Sequence, residues 1–204
     1  SLNSLSLLLG AFYFAFQIYC DFSGYSDMAI GLSKFFGFNL MQNFNFPYFS
    51  RDIAEFWRRW HISLSTWFRD YVYIPLGGSK GSKWKQIKNV FIIFLVSGFW
   101  HGANWTFVIW GAINALFFIP LLLTKKNRAN IDIVAENSKW PSGLDLFKMV
   151  YTFSIVTLAW IFFRAKSVAI AIDYIVNIFS FNFKGGVNYL SIERYAIENV
   201  LLIF

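Results

Sequence analysis

The amino-acid sequence predicts an all-α protein that crosses a membrane several times. Of its 204 residues, 57% are hydrophobic and only 14% are charged, whereas a typical soluble domain carries about 25% charged residues. The mean hydropathy is +0.48. Several apolar runs approach or exceed the roughly 20 residues that a helix needs to cross a bilayer. A soluble domain of this length could not solvate so many apolar side chains.

The charge and the cysteine count exclude several classes of protein. The net charge of +7 comes from basic clusters between apolar runs, as in cytoplasmic loops of membrane proteins. No motif that reads DNA or RNA accompanies them, so nucleic-acid binding is not expected. Cys20 is the single cysteine, and the two histidines lie far apart in the sequence, so neither a disulfide framework nor a metal site is predicted. The chain begins at Ser1 and ends in an apolar run, and we expect it to be a piece of a longer protein.

The first predicted helix is apolar from Leu5 to Tyr19, and its pattern continues to Gly31. Asp21 and Asp27 lie within it, although a carboxylate at the bilayer centre costs about 2.5–3.5 kcal/mol. Either this segment lies near the interface, or the two acids brace neighbouring helices, or they have a direct role in a substrate path. Residues 36–50 contain Gly, Asn and Pro and are predicted to form a loop, which their aromatic residues place in a re-entrant or interfacial position.

A second, amphipathic helix is predicted from a cap at Ser50 to about Tyr73, before Pro75. Its apolar residues recur three and four positions apart, and its other side carries polar residues: Glu55, Arg58, Arg59, His61, Ser65, Arg69 and Asp70. Glu55 and Arg59 are four apart, in a favourable order for an ion pair. Such a helix lies in an interface or lines a wet cavity more readily than it spans lipid.

The next apolar run, Val90 to Leu123, is too long for one ordinary span. Basic clusters flank it, one at residues 80–88 and the other at 125–128. If both face the cytoplasm, the run turns back near the glycines beside His101; if it is straight, one cluster breaks the positive-inside bias. The sequence leaves both open. Residues 127–142 are predicted to form a loop, 147–163 and 167–178 to be helices, and 200–204 to begin another span.

His101 is the residue best suited to catalysis, because it stands between two tryptophans at membrane depth, in SGFWHGANW (97–105). A neutral imidazole can take a proton from a hydroxyl group during acyl transfer. Asn104, about one helical turn on, could orient the ring or hold an oxyanion. His61 is its nearest rival or assistant. The alternative for both is a structural histidine that bonds a backbone carbonyl across helices.

The arginines of the amphipathic segment also have two interpretations. Arg58, Arg59 and Arg69 could bind the phosphates of a donor such as coenzyme A. They could equally pair with acidic side chains or lipid head groups.

Five segments occur in a distinctive order between Phe16 and Trp105: FQIYCDFSGYSD (16–27), NFNFPY (43–48), EFWRRWHISLS (55–65), RDYVYIPLGG (69–78) and GFWHGANW (98–105). Together they resemble the membrane-bound O-acyltransferase (MBOAT) family, and most closely its bacterial branch of alginate O-acetyltransferase membrane components. The resemblance implies that His101 is the essential catalytic histidine. It implies that His61 is a second histidine on the cytoplasmic approach to the site.

The resemblance also implies the architecture and location of the protein. The family fold is a ring of tilted membrane helices, with re-entrant and interfacial helices, around a thinned centre. Residues 1–204 would be one partial domain of it, with the catalytic core at 11–123, further membrane helices at 144–204, and other helices contributed by residues that precede this chain. The location implied is the bacterial cell membrane, which the protein would cross several times.

The implied activity is transfer of an acyl group, most often acetyl, to an extracytoplasmic polysaccharide. The donor would be acetyl-CoA or another acyl-carrier thioester, as a substrate and not as a bound cofactor. The acceptor would be the polymer itself or a partner protein of the SGNH, esterase-like kind. Transfer of D-alanyl groups to teichoic-acid-type polymers is the alternative. Contacts to substrate or donor are predicted for these residues: Asn104, Trp100, Arg58, Arg59, Ser65, Asp27 and Tyr25.

Two hypotheses from other classes remain. A proton-coupled transporter could relay protons through Asp21, Asp27 and His101. A structural subunit could simply dock an extracytoplasmic acyltransferase, and both histidines would then tolerate substitution.

Overall fold

A computed structural model describes residues 3–136 and 139–183, which form helices and loops and contain no strand. The helices are α1 (Ser4–Phe35), α2 (Ile53–Arg59), α3 (Ile62–Phe68), α4 (Lys83–His101), α5 (Trp105–Leu123), α6 (Gly143–Arg164) and α7 (Val168–Phe179). Three of them, α1, α5 and α6, are long and apolar enough to cross a membrane. The predicted all-α membrane class is therefore confirmed. The span predicted at 200–204 lies outside the described residues.

The first helix, the loop that follows it and the last two described helices lie where the sequence predicted them. Helix α1 begins at a cap formed by Asn3, whose side chain accepts a hydrogen bond from the Ser6 amide at 2.8 Å, and it continues through Asp21 and Asp27. The predicted loop follows and contains a single 3₁₀ turn at Pro47–Phe49. Near the end of the described chain, α6 and α7 occupy the two predicted helical stretches.

The prediction of one helix from Ser50 to about Tyr73 was wrong in two respects. The cap is Asp52, whose carboxylate accepts a hydrogen bond from the Glu55 amide at 2.7 Å, while the Ser50 hydroxyl donates to Pro47. The helix also breaks after Arg59, because His61 adopts a left-handed conformation (φ 45°, ψ 56°) that costs a non-glycine residue about 1–2 kcal/mol.

Backbone hydrogen bonds to the preceding loop stabilise this interruption of the helix. The Asn45 amide donates to the Arg59 carbonyl at 3.0 Å, and the Ile62 amide donates to the Asn43 carbonyl at 2.9 Å. After the break, α3 continues into a π-helical turn, Arg69–Tyr73, so the predicted end before Pro75 is correct.

The long apolar run turns back on itself, which resolves the alternative that the sequence left open. Helices α4 and α5 form an antiparallel hairpin, joined by three residues, and His101 is the last residue of α4. The two basic clusters therefore lie at the same end of the hairpin. Their shared position agrees with the positive-inside bias.

Glycines at the contact let the two helices of the hairpin touch. A Cβ atom at Gly98 would lie 2.3 Å from the Phe107 carbonyl oxygen, and one at Gly111 would lie 2.3 Å from that of Phe94. Small residues allow such close approach between membrane helices, where packing and not the hydrophobic effect drives association. Because the facing atoms belong to the backbone, a side chain could not simply rotate away.

We expect Gly98→Ala to destabilise the full-length protein by about 1–3 kcal/mol or more, the range for overpacking a tight contact. Thermal unfolding in detergent measures the effect. The matched control is Gly24→Ala in α1, where an added Cβ would meet nothing within 4 Å and alanine favours the helix. Equal melting temperatures for the two variants would contradict the tight-contact explanation.

An aromatic core joins the hairpin to the other helices. The Trp160 ring of α6 stacks on Trp110 of α5 with centroids 5.6 Å apart, and it lies 5.1 Å from Trp60 at the α2–α3 break. All three indoles are at least 96% buried. The break that carries His61 and the hairpin that carries His101 are thus fixed to the same core.

Candidate active site

Both histidines line one large cavity, whose volume is about 1530 Å³. Its wall includes a row of α4 residues on one face of the helix: Gln86, Val90, Ile93, Phe94, Ser97 and His101. At a rise of 1.5 Å per residue, this row extends over about 22 Å. The cavity therefore connects His101, at the tip of the hairpin, with the end that carries the basic clusters.

The His101 ring is held by aromatic contacts. Its centroid lies 4.9 Å from that of Trp100, 5.0 Å from Phe163, 5.4 Å from Trp110 and 6.3 Å from Phe107. The structural alternative, a bond from His101 to a backbone carbonyl across helices, does not occur among residues 3–136 and 139–183. The ring therefore lines the cavity without a hydrogen bond to the described residues.

Gly102 has a steric reason to follow this histidine. A Cβ atom there would lie 2.6 Å from the Phe107 ring, and that ring packs beside His101. The Trp-His-Gly sequence therefore places the imidazole among aromatic rings as well as at a helix end.

Asn104 does not orient the His101 ring, and that hypothesis is corrected by the structure. Its side-chain oxygen accepts a hydrogen bond from the Thr106 amide at 3.1 Å, and its nitrogen donates to the Lys166 carbonyl at 3.1 Å. The amide thus caps α5 and ties it to the loop after α6, away from the cavity. Trp100 is 58% exposed and is not part of the cavity wall, but its ring edge supports the imidazole.

His61 lies at the break between α2 and α3 and lines the same cavity. The Phe22 ring meets its imidazole edge to face, with centroids 4.6 Å apart. Its Nδ1 lies 3.3 Å from the side-chain oxygen of Asn43. Burial lowers the pKa of His61 to about 4, and the neighbouring His101 acts in the same direction. The ring is therefore neutral at physiological pH.

Ser65 and Arg58 line the cavity but also have structural partners. The Ser65 hydroxyl donates to the Trp60 carbonyl at 3.2 Å, which supports the break at His61. Arg58 donates to the Asn127 and Asn130 carbonyls at 2.8 and 2.7 Å. Its guanidinium thus ties α2 to the loop after α5 while the residue also lines the cavity.

Arg59 does not line the cavity, because it forms the predicted ion pair with Glu55. Its Nη2 lies 2.7 Å from the Glu55 carboxylate, which also binds Arg51 at 3.1 Å. The predicted Glu55–Arg59 pair is confirmed. The predicted donor contact of Arg59 is replaced by this structural role.

Tyr25 and Asp27, the two remaining predicted contact residues, lie on α1. Tyr25 lines the cavity, whereas Asp27 does not. Asp21, one turn earlier, is part of the cavity wall. The structure thus places one of the two α1 acids at the cavity wall and the other outside it.

Several cavity residues were not predicted as site residues. Lys125 and Arg128 line the basic end together with Arg58 and Arg69. The sequence showed them only as a basic cluster, and the turn of the hairpin brings that cluster beside Arg58. Asn43, which is not part of the cavity wall but contacts His61, was noted only as a loop residue. Within the described residues, no three His, Cys, Asp or Glu side chains lie close enough to hold a metal ion.

Comparison with known proteins gives a consistent family assignment. The profile of the membrane-bound O-acyltransferase family matches residues 4–165. The probable alginate O-acetylase of Pseudomonas aeruginosa is 47% identical over 173 residues, which are 85% of this chain and 31% of the relative. The peptidoglycan O-acetyltransferase of Helicobacter pylori is 37% identical over 97% of this chain and 36% of its own length.

A more distant relative is the teichoic acid D-alanyltransferase of Streptococcus thermophilus, 37% identical over 76% of this chain and 40% of the relative. The chain spans about a third of the length of the first two relatives. The family profile covers most of the chain, including both histidines, so this membrane protein belongs to the membrane-bound O-acyltransferase family.

Proposed function

We propose that the full-length protein is an O-acyltransferase that moves an acyl group, most readily acetyl, from a thioester to a hydroxyl group of an extracytoplasmic polysaccharide. The single observation that carries the proposal is the shared cavity, in which two histidines lie on a path from the basic end of the hairpin to its tip. The names of the relatives, alginate O-acetylase and peptidoglycan O-acetyltransferase, supply the acceptor class.

The donor enters at the basic end of the cavity in this proposal. Arg58, Arg69, Lys125 and Arg128 line this end and make it cationic. The phosphates of coenzyme A or of an acyl-carrier arm are anions that such side chains bind. The positive-inside bias assigns this end to the cytoplasm, where acyl thioesters are made. The path of about 22 Å along α4 suits an extended carrier arm.

The reaction needs one base and one route for a proton. The acceptor oxygen attacks the acyl carbon, its proton passes to His101, and the carbon–oxygen bond forms as the carbon–sulfur bond breaks. The proton finally reaches the departing sulfur and gives a free thiol. His61 positions the donor or relays this proton. The aromatic walls around His101 keep water from hydrolysing the thioester.

The immediate acceptor is either the polymer or an extracytoplasmic esterase-like partner that passes the group on. The D-alanyl alternative is supported by the teichoic acid D-alanyltransferase relative. It differs in the acyl group and leaves the roles of the two histidines unchanged.

The test uses full-length protein reconstituted in lipid vesicles, with acetyl-labelled acetyl-CoA on one side and alginate or peptidoglycan fragments on the other. We expect ester-linked label on the acceptor, with or without the partner protein. An alanyl-charged carrier replaces acetyl-CoA in a parallel reaction. Proton flux without any donor, together with no label transfer from either thioester, would overturn the proposal in favour of a transporter.

A further inference from the structure

The two cavity histidines differ in what holds their rings. Aromatic rings surround His101, and neither of its nitrogens has a hydrogen bond within the described part of the chain. His61 instead has a polar neighbour, because its Nδ1 lies 3.3 Å from Oδ1 of Asn43. An imidazole without a partner can carry its proton on either nitrogen, whereas a partner selects one tautomer.

The identity of the Asn43 atom follows from its other contacts. The same Oδ1 accepts a hydrogen bond from the Ser63 backbone amide at 3.1 Å and one from the Ser63 hydroxyl at 2.6 Å. A backbone N–H can only donate, so the atom that faces it is the amide oxygen and not the amide nitrogen. An amide oxygen can only accept, so its contact with Nδ1 is favourable when Nδ1 carries a proton and repulsive when Nδ1 presents a lone pair. The contact, at 3.3 Å the longest of the three on this oxygen, therefore favours the Nδ1–H tautomer.

The consequence is a defined proton acceptor. In a neutral imidazole with its proton on Nδ1, the Nε2 atom holds the free lone pair. When Nε2 takes up a proton, Nδ1–H keeps its bond to Asn43, so the cation forms without a change in ring orientation. This is how an orienting partner assists a functional histidine.

From this arrangement we infer that Asn43 is a positioning residue, which fixes His61 as the Nδ1–H tautomer and makes Nε2 the atom that relays the proton. The expected change in rate rests on the proposed function, whereas the assignment of the His61 tautomer does not. The Asn43 backbone carbonyl separately holds the Ile62 amide at 2.9 Å. Replacing the side chain therefore leaves the backbone pairing at the α2–α3 break in place.

The decisive variant is Asn43→Leu, which removes the acceptor oxygen and keeps a side chain that branches at the same carbon atom. We expect kcat for acetyl transfer to fall by about 10- to 100-fold, as for other outer partners of functional histidines, while KM for the donor changes little. Asn43→Asp restores an acceptor oxygen and should recover most of that loss. Ser63→Ala is the matched control, because it removes a neighbour of the same oxygen and leaves the acceptor in place.

A second measurement does not depend on activity. Nitrogen NMR of the full-length protein labelled with ¹⁵N-histidine reports which ring nitrogen carries the proton, and His61→Gln identifies the His61 signals. We expect a protonated Nδ1 in the wild type and in Ser63→Ala, and loss of this preference in Asn43→Leu. A protonated Nε2 in the wild type, or an unchanged tautomer in Asn43→Leu, would overturn the inference. If wild-type protein transfers no acyl group but shows the Nδ1–H tautomer, the proposed function fails and the positioning by Asn43 stands.

Discussion

Replacement of His101 by alanine or glutamine in the full-length protein is expected to lower the rate of acyl transfer by at least about 100-fold, the lower range for loss of a general base. Both variants remove the ring nitrogens, but glutamine keeps a polar side chain of similar length. The rate is measured as ester-linked label formed per amount of folded protein in vesicles.

Comparing the alanine and glutamine variants distinguishes the loss of the ring nitrogens from the loss of side-chain packing. The His101 ring packs against four aromatic rings, and alanine leaves a void there that glutamine partly fills. If the ring served packing alone, glutamine would restore transfer in step with thermal stability. Asn177→Ala is the control, because within the described residues this exposed α7 side chain bonds only its own helix, at the Asp173 carbonyl. This variant should transfer at the wild-type rate. Wild-type transfer by a folded His101→Gln variant would refute the catalytic role.

The second large effect is expected at Glu55, the centre of a buried charge network. Its carboxylate is 1% exposed and lies 3.1 Å from Arg51 Nε and 2.7 Å from Arg59 Nη2, and Arg51 continues to Asp132 at 3.0 Å. Glu55→Ala would leave two guanidinium groups without this partner. Loss of one member of a buried ion pair costs about 3–5 kcal/mol, and we expect a loss of this size in unfolding experiments in detergent.

The position of this network gives the Glu55 variant a second consequence. Arg51 holds Asp132 in the loop after α5, and Lys125 and Arg128 of the same loop line the basic end of the cavity. Loosening the loop should therefore raise KM for the thioester more than it lowers kcat. Asp70→Ala is the control, because the Arg69–Asp70 pair is exposed and exposed pairs add little to stability. Similar stability losses in the two variants would show that burial of the network is unimportant.

Only part of this charge network could be predicted from the sequence. The Glu55–Arg59 pair was predictable because both residues lie on one helical turn, where spacing alone sets the distance. The link from Arg51 to Asp132 was not, since 81 positions separate these residues and only the turn of the hairpin brings them together. For the same reason, the sequence could not show that Arg58 donates to the Asn127 and Asn130 carbonyls.

Sequence by itself determined the membrane class and most of the helical stretches, and it singled out His101 as a candidate site residue, because hydropathy, helical period and residue chemistry are local properties. Only the tertiary structure decided that the α4–α5 run folds back, that the helix breaks at His61, and that the Asn104 side chain donates to the Lys166 carbonyl. Each of these depends on contacts between distant residues, such as Gly98 against the Phe107 backbone and Asn43 against Ile62. Such contacts offset the cost of a left-handed His61 or a tight turn, and no local pattern encodes them.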